Sequence, residues 1–561
     1  MPIRDLEGHR ARCALGLSLL LTGGTAFAAE PEAPAVLEAP FKLPAVSSPG
    51  AGDDSAAGAN AANTRPVRVE RIAFRGNRVL RVSVLQAAAA PYLGRELNPA
   101  EIEELRTTLT HQYTDRGYIN SGVLLDPQAP YHDGVLSFLA VEGRIKQVRV
   151  HGQKGLRPAY VADRLRGSDD ETLNINLLRE RFQRLLDDPL FARVNSRIEP
   201  GSDLGEAILD VDVERARPYS LALALNNYRP PSIGEKAYDM SGEVRDLTGF
   251  GDLVDVDLTG ALNFSGGVGY SLNWLLPLNR YGTALSLLVQ RAETVVTEEP
   301  LAALDIRSTI ERQEVKLTQP LWSSLSQQVS LGASIAHEEN STALDGTPFS
   351  FLPGAVNGMT KSVTERLIPD YSYRSPQQYW GLRLTLLHAY LLDYPSGPVS
   401  YVLPNQQYFL WTGQIHNLWE IPGAPFELDS RATLQRTSAR ISDLHALEIG
   451  GINSVRGFQE NELLASNVDN FNFDFRWLAL PAARGARPAL TLGTFFDWAA
   501  GHDVGAPTDT FSSVGLTTRL KWPHVQVDFA YGVRLIHPSF VDQEHGSWQD
   551  HGIHAQIAAA L

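Results

Sequence analysis

The chain has 561 residues, enough for two to four domains of ordinary size. With 20% charged residues and a net charge of −15 it is neither collagen-like nor built for nucleic acid, whose phosphates demand clustered Lys and Arg. A single cysteine rules out a disulfide framework and Cys-based metal sites.

Arg4, Arg10 and Arg12 precede an apolar run over residues 14–21, and small residues then lead to Ala26, Phe27 and Ala28. A basic start, a short apolar core and an A-x-A site predict a secretory signal peptide over residues 1–28, cleaved after Ala28 or Ala29. The run is shorter than the roughly 20 residues that a membrane-spanning helix needs. Cys13 lies ahead of the apolar core, so it leaves with the signal and cannot be a lipid-bearing cysteine, which would follow the core. Residues 29–65 hold Pro31, Pro34, Pro40 and Pro44 and a small, polar stretch, which predicts a flexible linker.

Two αβ units are expected next. In residues 66–143 an alternating strand over residues 67–74 ends at Gly76, a helix covers residues 82–93, and a second helix starts after Asn98 and Pro99. Ile102, Leu105, Leu109 and Tyr113 recur on its face, Gly117 stops it, and strands near residues 122–125 and 135–141 close the unit. Residues 144–216 repeat the order, with a strand over 145–150, helices near 159–165 and around Leu178, Phe182, Leu185 and Leu186, and strands near 194–198 and 207–213. A β-α-α-β-β unit recurring at about 75 residues marks internal duplication, each copy leaving a sheet edge open.

From Pro218 onward helical periodicity stops. Segments of about ten residues alternate apolar with polar or small side chains between clusters of Gly, Pro, Asn and Asp. Val254, Val256 and Leu258 alternate with Asp255 and Asp257; Phe471, Phe473, Phe475 and Trp477 alternate with Asn472, Asp474 and Arg476. About sixteen such segments start near residues 219, 238, 252, 267, 283, 307, 326, 364, 378, 408, 426, 471, 489, 512, 526 and 552. Tyr219, Trp274, Trp380, Trp498 and Trp522 stand near segment ends, as a membrane girdle requires. A soluble sandwich would drive Asp255, Asp257, Asp474 and Arg476 into a dry core at several kcal/mol each, whereas a barrel gives them a wet lumen. The expected fold is therefore a transmembrane β-barrel of about 16 antiparallel strands over residues 217–561.

The longest gap between strands in the C-terminal half contains Gly450, Gly451, Val455, Arg456, Gly457 and Phe458. Alternation in the thirteenth strand sends Leu490, Leu492, Thr494 and Phe496 outward and Phe495, Asp497 and Ala499 into the lumen. Arg456 carries a permanent charge on a planar fork, Asp497 is a lumen carboxylate able to accept it bidentately, and Asp474 on the neighbouring strand is a second candidate partner. Such a pair would hold the loop inside the pore.

In these residues the chain resembles the BamA/TpsB superfamily of outer-membrane translocases. Val455, Arg456, Gly457 and Phe458 match its VRGF/Y motif, which sits on a loop folded back into the barrel; Phe495, Asp497 and Ala499 match its F-x-D-x-G motif, with Ala499 in place of Gly. The αβ units look like POTRA domains. Gly117 and Tyr118, then Asp126, Pro127 and Gln128, then Val141, Glu142 and Gly143 resemble the first POTRA of two-partner secretion transporters of the ShlB/FhaC/HecB type. The resemblance implies two periplasmic α+β POTRA domains ahead of a sixteen-stranded outer-membrane barrel. It also implies export of one unfolded, β-helical exoprotein (a haemolysin, adhesin or contact-inhibition toxin) captured at the POTRA edges without nucleotide or cofactor. Barrel-assembly machinery and periplasmic chaperones would serve biogenesis. Two departures are the Pro-rich stretch, which does not read as the family's plug helix, and Leu561, which stands where barrels often end in an aromatic.

Other signals carry less. Gly249 and Gly251 lack the third glycine of a dinucleotide loop, and His545, His551 and His554 read as a polar loop running into a lumen-facing strand rather than a metal site. No catalytic constellation is apparent. The nearest rival is a barrel-assembly factor of the same superfamily; a passive porin would need neither αβ units nor an inserted Arg loop, and a secreted β-rich adhesin or enzyme would not show heat-modifiable migration.

Overall fold

The structure, a computed structural model, describes residues 66–561 apart from 169, 300, 397–402, 482–487 and 543–545. The expected signal peptide, Cys13, the linker and His545 lie outside the described residues. The chain forms two compact units, an αβ unit reaching Pro218 and a barrel unit comprising Tyr219–Leu247 and Gly251–Leu561.

The αβ unit is duplicated. Its first repeat runs β1 (Val67–Val69), β2 (Arg71–Arg75), α1 (Val82–Ala89), β3 (Arg95–Leu97), α2 (Pro99–Thr114), β4 (Gly122–Leu125), β5 (Tyr131–His132) and β6 (Val135–Val141). The second runs β7 (Arg144–His151), α3 (Pro158–Arg166), α4 (Ile175–Leu186), β8 (Phe191–Pro200) and β9 (Glu206–Arg215). In each, the strand just ahead of the first helix lies parallel to the closing strand, which pairs antiparallel with the strand that follows the second helix: β2-β6-β4, with β5 also on β6, and β7-β9-β8. α2 begins as its sequence demands. Asn98 accepts from the Glu101 amide, Glu101 accepts in return from the Asn98 amide, and Pro99 occupies the first turn, where no N–H is needed. Leu105, Leu109 and Tyr113 on one face of α2 bury against Leu85, Leu97, Leu136 and Phe138. The short ribbon of β1 with β3 escaped the sequence reading, because three-residue strands carry no measurable period.

The glycine of the Val141, Glu142, Gly143 motif sits where the two repeats meet. A Cβ on Gly143 would lie 2.1 Å from the Asn120 carbonyl oxygen, and Asn120 Nδ2 donates to the Gly205 carbonyl at 3.0 Å. The Leu173 amide donates to Gly143 O and the Ile175 amide to Gly117 O, stitching the repeats backbone to backbone. Glu142 Oε1 accepts from the Arg78 and Val79 amides and from the Tyr113 hydroxyl.

The barrel unit contains β10 (Tyr219–Asn226), β11 (Ala237–Arg245), β12 (Leu253–Ala261), β13 (Val268–Pro277), β14 (Ala284–Val295), β15 (Ile306–Ser323), β16 (Gln327–Leu344), the two-residue β17 (Thr347–Pro348), β18 (Met359–Arg374), β19 (Gln378–Leu391), β20 (Gln407–Glu420) and β21 (Phe426–Arg436). After β22 (Leu447–Ile449) and β23 (Leu463–Ala465), which pair only with each other, come β24 (Asn467–Leu480), β25 (Ala489–His502), β26 (Asp509–Lys521), β27 (Val525–Ile536) and β28 (Ile553–Ala560). Setting β17, β22 and β23 aside, sixteen antiparallel strands close a barrel, sealed where Ala222–Asn226 of β10 meets Gln556–Ala560 of β28.

Side chains alternate as expected. Val256, Phe473, Phe475, Trp477 and Phe496 face outward and are exposed, while Asp429, Asp474 and Asp497 face inward and are buried. Asp257 accepts from Ser271 Oγ and Asp255 from Asn273 Nδ2 across the same inner wall. An exposed apolar belt on a sheet with no free edge is what lipid stabilises, because every strand amide is already paired. No helix among the described residues is long and apolar enough to cross a membrane. Several strands exceed the expected ten residues: β15 and β16 have 18 each, an axial length of about 60 Å against an apolar band of roughly 25 Å. Their ends therefore leave the lipid. β18 and β24 likewise begin ahead of the sequence expectation, at Met359 and Asn467, in polar stretches that lack the lipid-imposed alternation.

Candidate functional site in the barrel lumen

The loop between β21 and β24, residues 437–466, folds back against the inner wall. The β22–β23 ribbon stiffens it and its tip carries the sequence motif. Val455, Arg456, Gly457 and Phe458 are all buried.

Arg456 meets both carboxylates predicted for it. Its Nε donates to Asp497 Oδ2 at 2.8 Å and its Nη2 to Asp497 Oδ1 at 2.8 Å, a bidentate fork. Nη1 and Nη2 form a second fork on Asp474, at 2.7 and 3.1 Å. The Arg456 backbone amide adds a further bond to Asp497 at 3.0 Å, and Asn472 Nδ2 donates to the same carboxylate at 2.9 Å. The guanidinium lies 3.8 Å from the Phe495 ring centroid, so Phe495 closes the site from one face. Burial opposes the charge on Arg456, but the hydrogen bonds and charges of Asp497 and Asp474 outweigh it and hold the guanidinium above its ordinary pKa. Asp497 has no exposed surface, so it has no water to fall back on if the arginine leaves.

The rest of the tip docks on the adjoining strands. Phe458 packs edge-on against Phe511 of β26, with centroids 5.3 Å apart. Gly457 donates its amide to His554 Nε2 on β28 and accepts at its carbonyl from Arg534 Nε on β27, at 3.2 and 2.7 Å. Ala499, the departure from the family pattern, is fully buried in one apolar cluster with Val455, Phe458 and Phe511, so its methyl group fills space. Behind the tip, Glu460 is buried and accepts from the Ile452 amide at 2.7 Å. Burial, and then the charge of Glu448, raise its pKa well above the ordinary carboxylate value; burial lifts Glu448 to about 7. Apart from a glycine at a lumen-facing position of β27, nothing local in the sequence marks Asn472, Phe511, Gly532, Arg534 and His554 as loop partners.

Residues 205–498 match the family model described as haemolysin secretion/activation protein ShlB/FhaC/HecB, just over half of the chain. The chain belongs to the ShlB/FhaC/HecB family. Residues 67–143 separately match the POTRA domain, ShlB-type. Similar proteins include the heme/hemopexin transporter protein HuxB of Haemophilus influenzae, 23% identical over 34% of this chain and 34% of HuxB. The outer membrane transporter CdiB-2 of Burkholderia pseudomallei is 22% identical over 67% of this chain and 64% of CdiB-2. The matches thus span less than two thirds of these relatives' lengths. The solved structure of CdiB from Escherichia coli superposes with a TM-score of 0.69 at 18% identity, over 90% of this chain and 92% of that one, which shows a shared fold. Family membership and the lipid-facing belt place the barrel in the outer membrane, with the N-terminal POTRA region on the periplasmic side as in other ShlB/FhaC/HecB proteins.

Proposed function

We propose that this protein is the transporter of a two-partner secretion system. It takes an unfolded exoprotein in the periplasm and passes it through the barrel to the cell surface without nucleotide. The observation that carries the reading is the motif loop, held inside the lumen by Arg456 on Asp474 and Asp497, in a chain that also carries a ShlB-type POTRA match. An inserted, ion-paired loop obstructs a pore meant only for ions and small solutes, but suits one that must open for a polypeptide. Val455, Arg456, Gly457 and Phe458 form the loop anchor; Asp474, Phe495, Asp497 and Ala499 form its seat.

The second αβ repeat, residues 144–216, acts as a second POTRA, since its strand order duplicates that of the first. Among the described residues, the outer strands of each small sheet pair on one side only, apart from a single bridge from Arg144 to Thr172, and an extended, β-prone cargo segment can add at these edges as an extra strand. A β-helical haemolysin, adhesin or contact-inhibition toxin supplies such segments, and its folding outside the cell would bias movement outward. The signal peptide directs export to the periplasm, and barrel-assembly machinery and chaperones complete insertion.

The test is the culture supernatant. Loss of one large exoprotein on deletion of the gene, with reduced secretion by Arg456→Ala and none by a chain lacking residues 66–143, is the expected result. Depletion of many outer-membrane proteins instead would indicate a barrel-assembly factor, and undiminished secretion by both variants would overturn the assignment.

A further inference from the structure

The motif tip is not the loop's only attachment. Residues 437–446, its first limb, reach a different part of the wall. Ile441 packs on Leu387, Ala389 and Leu391 of β19 and Tyr408 and Leu410 of β20. Beyond it, His445 is buried between two wall residues: its Nε2 lies 2.7 Å from Glu338 Oε2 on β16, and its Nδ1 lies 2.6 Å from the Tyr408 hydroxyl. That hydroxyl also accepts from the Ser442 amide at 3.2 Å. A neutral imidazole satisfies every group, with Nε2–H donating to Glu338 and Nδ1 accepting from Tyr408. At the root, Gln435 Nε2 donates to the carbonyls of His445 and Ser466, at 2.9 and 3.1 Å, which supplies a pivot.

The two attachments differ in what they leave behind. Freeing Arg456 leaves the fully buried Asp497 without its cation and takes a two-bond partner from Asp474, which keeps only the neighbouring charge of Arg476. Freeing His445 takes one hydrogen bond each from Glu338 and Tyr408 but leaves no carboxylate without a cation. Glu338 already holds Arg366 at 2.7 Å and has Arg312 at 3.6 Å, and those arginines share Glu314. Two carboxylates, Glu314 and Glu338, face two guanidinium groups, Arg312 and Arg366, so the charges of this wall balance without the loop. An attachment made of hydrogen bonds, beside one whose loss strands a buried charge, is the cheaper to break, and the difference forms a sequence of release.

We propose that His445, with Glu338 and Tyr408, is a second and releasable latch that positions the first limb of the loop, and that the passage opens along the β16–β20 wall while Arg456 keeps the tip seated on β24–β28. His445 is in this view a positioning residue for transport, acting through the limb rather than on the cargo. The inference rests on the transport reading for its purpose, but its geometry is tested without cargo.

The full-length protein is reconstituted in planar bilayers and ion conductance recorded, with secretion scored separately in cells. His445→Ala is expected to raise the open fraction several-fold and to leave secretion at or above the parental level. His445→Gln, whose amide nitrogen can still donate to Glu338, restores the closed state. Tyr408→Phe, which keeps the ring and loses the hydroxyl, gives an intermediate increase and guards against a fold defect in the alanine variant. The combination His445→Ala with Arg456→Ala exceeds either alone. Parental conductance in both His445→Ala and Tyr408→Phe would overturn the latch, as would a fall in secretion equal to that of Arg456→Ala, which would make the loop one indivisible unit. If no exoprotein depends on the parent chain, the transport reading fails while the conductance result still decides the latch.

Discussion

Gly457 on the loop tip and Gly532 on β27 touch backbone to backbone: a Cβ added to Gly532 would lie 2.7 Å from the Gly457 Cα, and one added to Gly457 would lie 3.0 Å from the Gly532 carbonyl carbon. Gly457 also has φ +93°, a conformation that side chains disfavour. The glycine of the motif is therefore fixed by two demands, and its counterpart 75 positions later by one.

Gly532→Ala tests this contact away from the motif itself. The methyl group must push the tip off the wall, at a cost of about 1–3 kcal/mol typical of overpacking. The barrel is expected to insert normally and to conduct more than the parent, with the loop more open to added protease. Unchanged conductance and protease resistance would mean the contact is not maintained in the membrane.

Arg456→Lys keeps the charge but loses the fork. One ammonium cannot replace four guanidinium bonds to two carboxylates, so the variant should be nearly as disturbed as Arg456→Ala. Breaking a buried pair costs about 3–5 kcal/mol, so both variants should lose heat-modifiable migration at clearly lower temperature than the parent. A lysine variant matching the parent would show that charge alone suffices.

Acidity should tighten the loop. Burial, with the charge of Glu448, raises Glu460 well above the ordinary carboxylate value, and burial lifts Glu448 to about 7. In the window between the unfolded carboxylate value of about 4.5 and these raised values the folded state binds more protons than the unfolded, so stability falls as pH rises. These two carboxyls should make the parent's denaturation temperature in detergent fall more, from pH 5.5 to pH 8, than it does without them. Glu448→Gln combined with Glu460→Gln should flatten that slope, and an equally steep slope in the double variant would assign it to other groups.

At the junction of the αβ repeats, Glu142→Ala removes the acceptor of the exposed Arg78 and Val79 amides, each bond worth about 0.5–1.5 kcal/mol. Gly143→Ala forces a methyl group into the Asn120 carbonyl. Both should increase proteolysis within residues 66–216 of the full chain without changing heat-modifiable migration of the barrel. Protease resistance equal to the parent would show that the junction tolerates rearrangement.

The barrel was legible because lipid and water impose a strict two-residue period: Phe473, Phe475 and Trp477 against Asp474 and Arg476 leave no other closed arrangement. Strand ends were less so, since Met359 and Asn467 lie where no lipid enforces the pattern. Arg456, Asp474 and Asp497 were readable from one motif and one alternation. Arg534 and His554 were not, being 77 and 97 positions from the glycine they hold, with nothing local to mark them. Glu338 and His445, 107 positions apart, were hidden for the same reason.

The seam between β10 and β28 has a kinetic consequence. Asn227 accepts from the amide of Ala555, 328 positions away, and a ladder of five residue pairs with a few flanking bonds completes the circle. Such extreme sequence separation makes closure among the slowest events available to a chain of this size. Until it occurs, two bare strand margins are open to mispairing, so the rate at which the ends find one another sets the yield of usable cylinders.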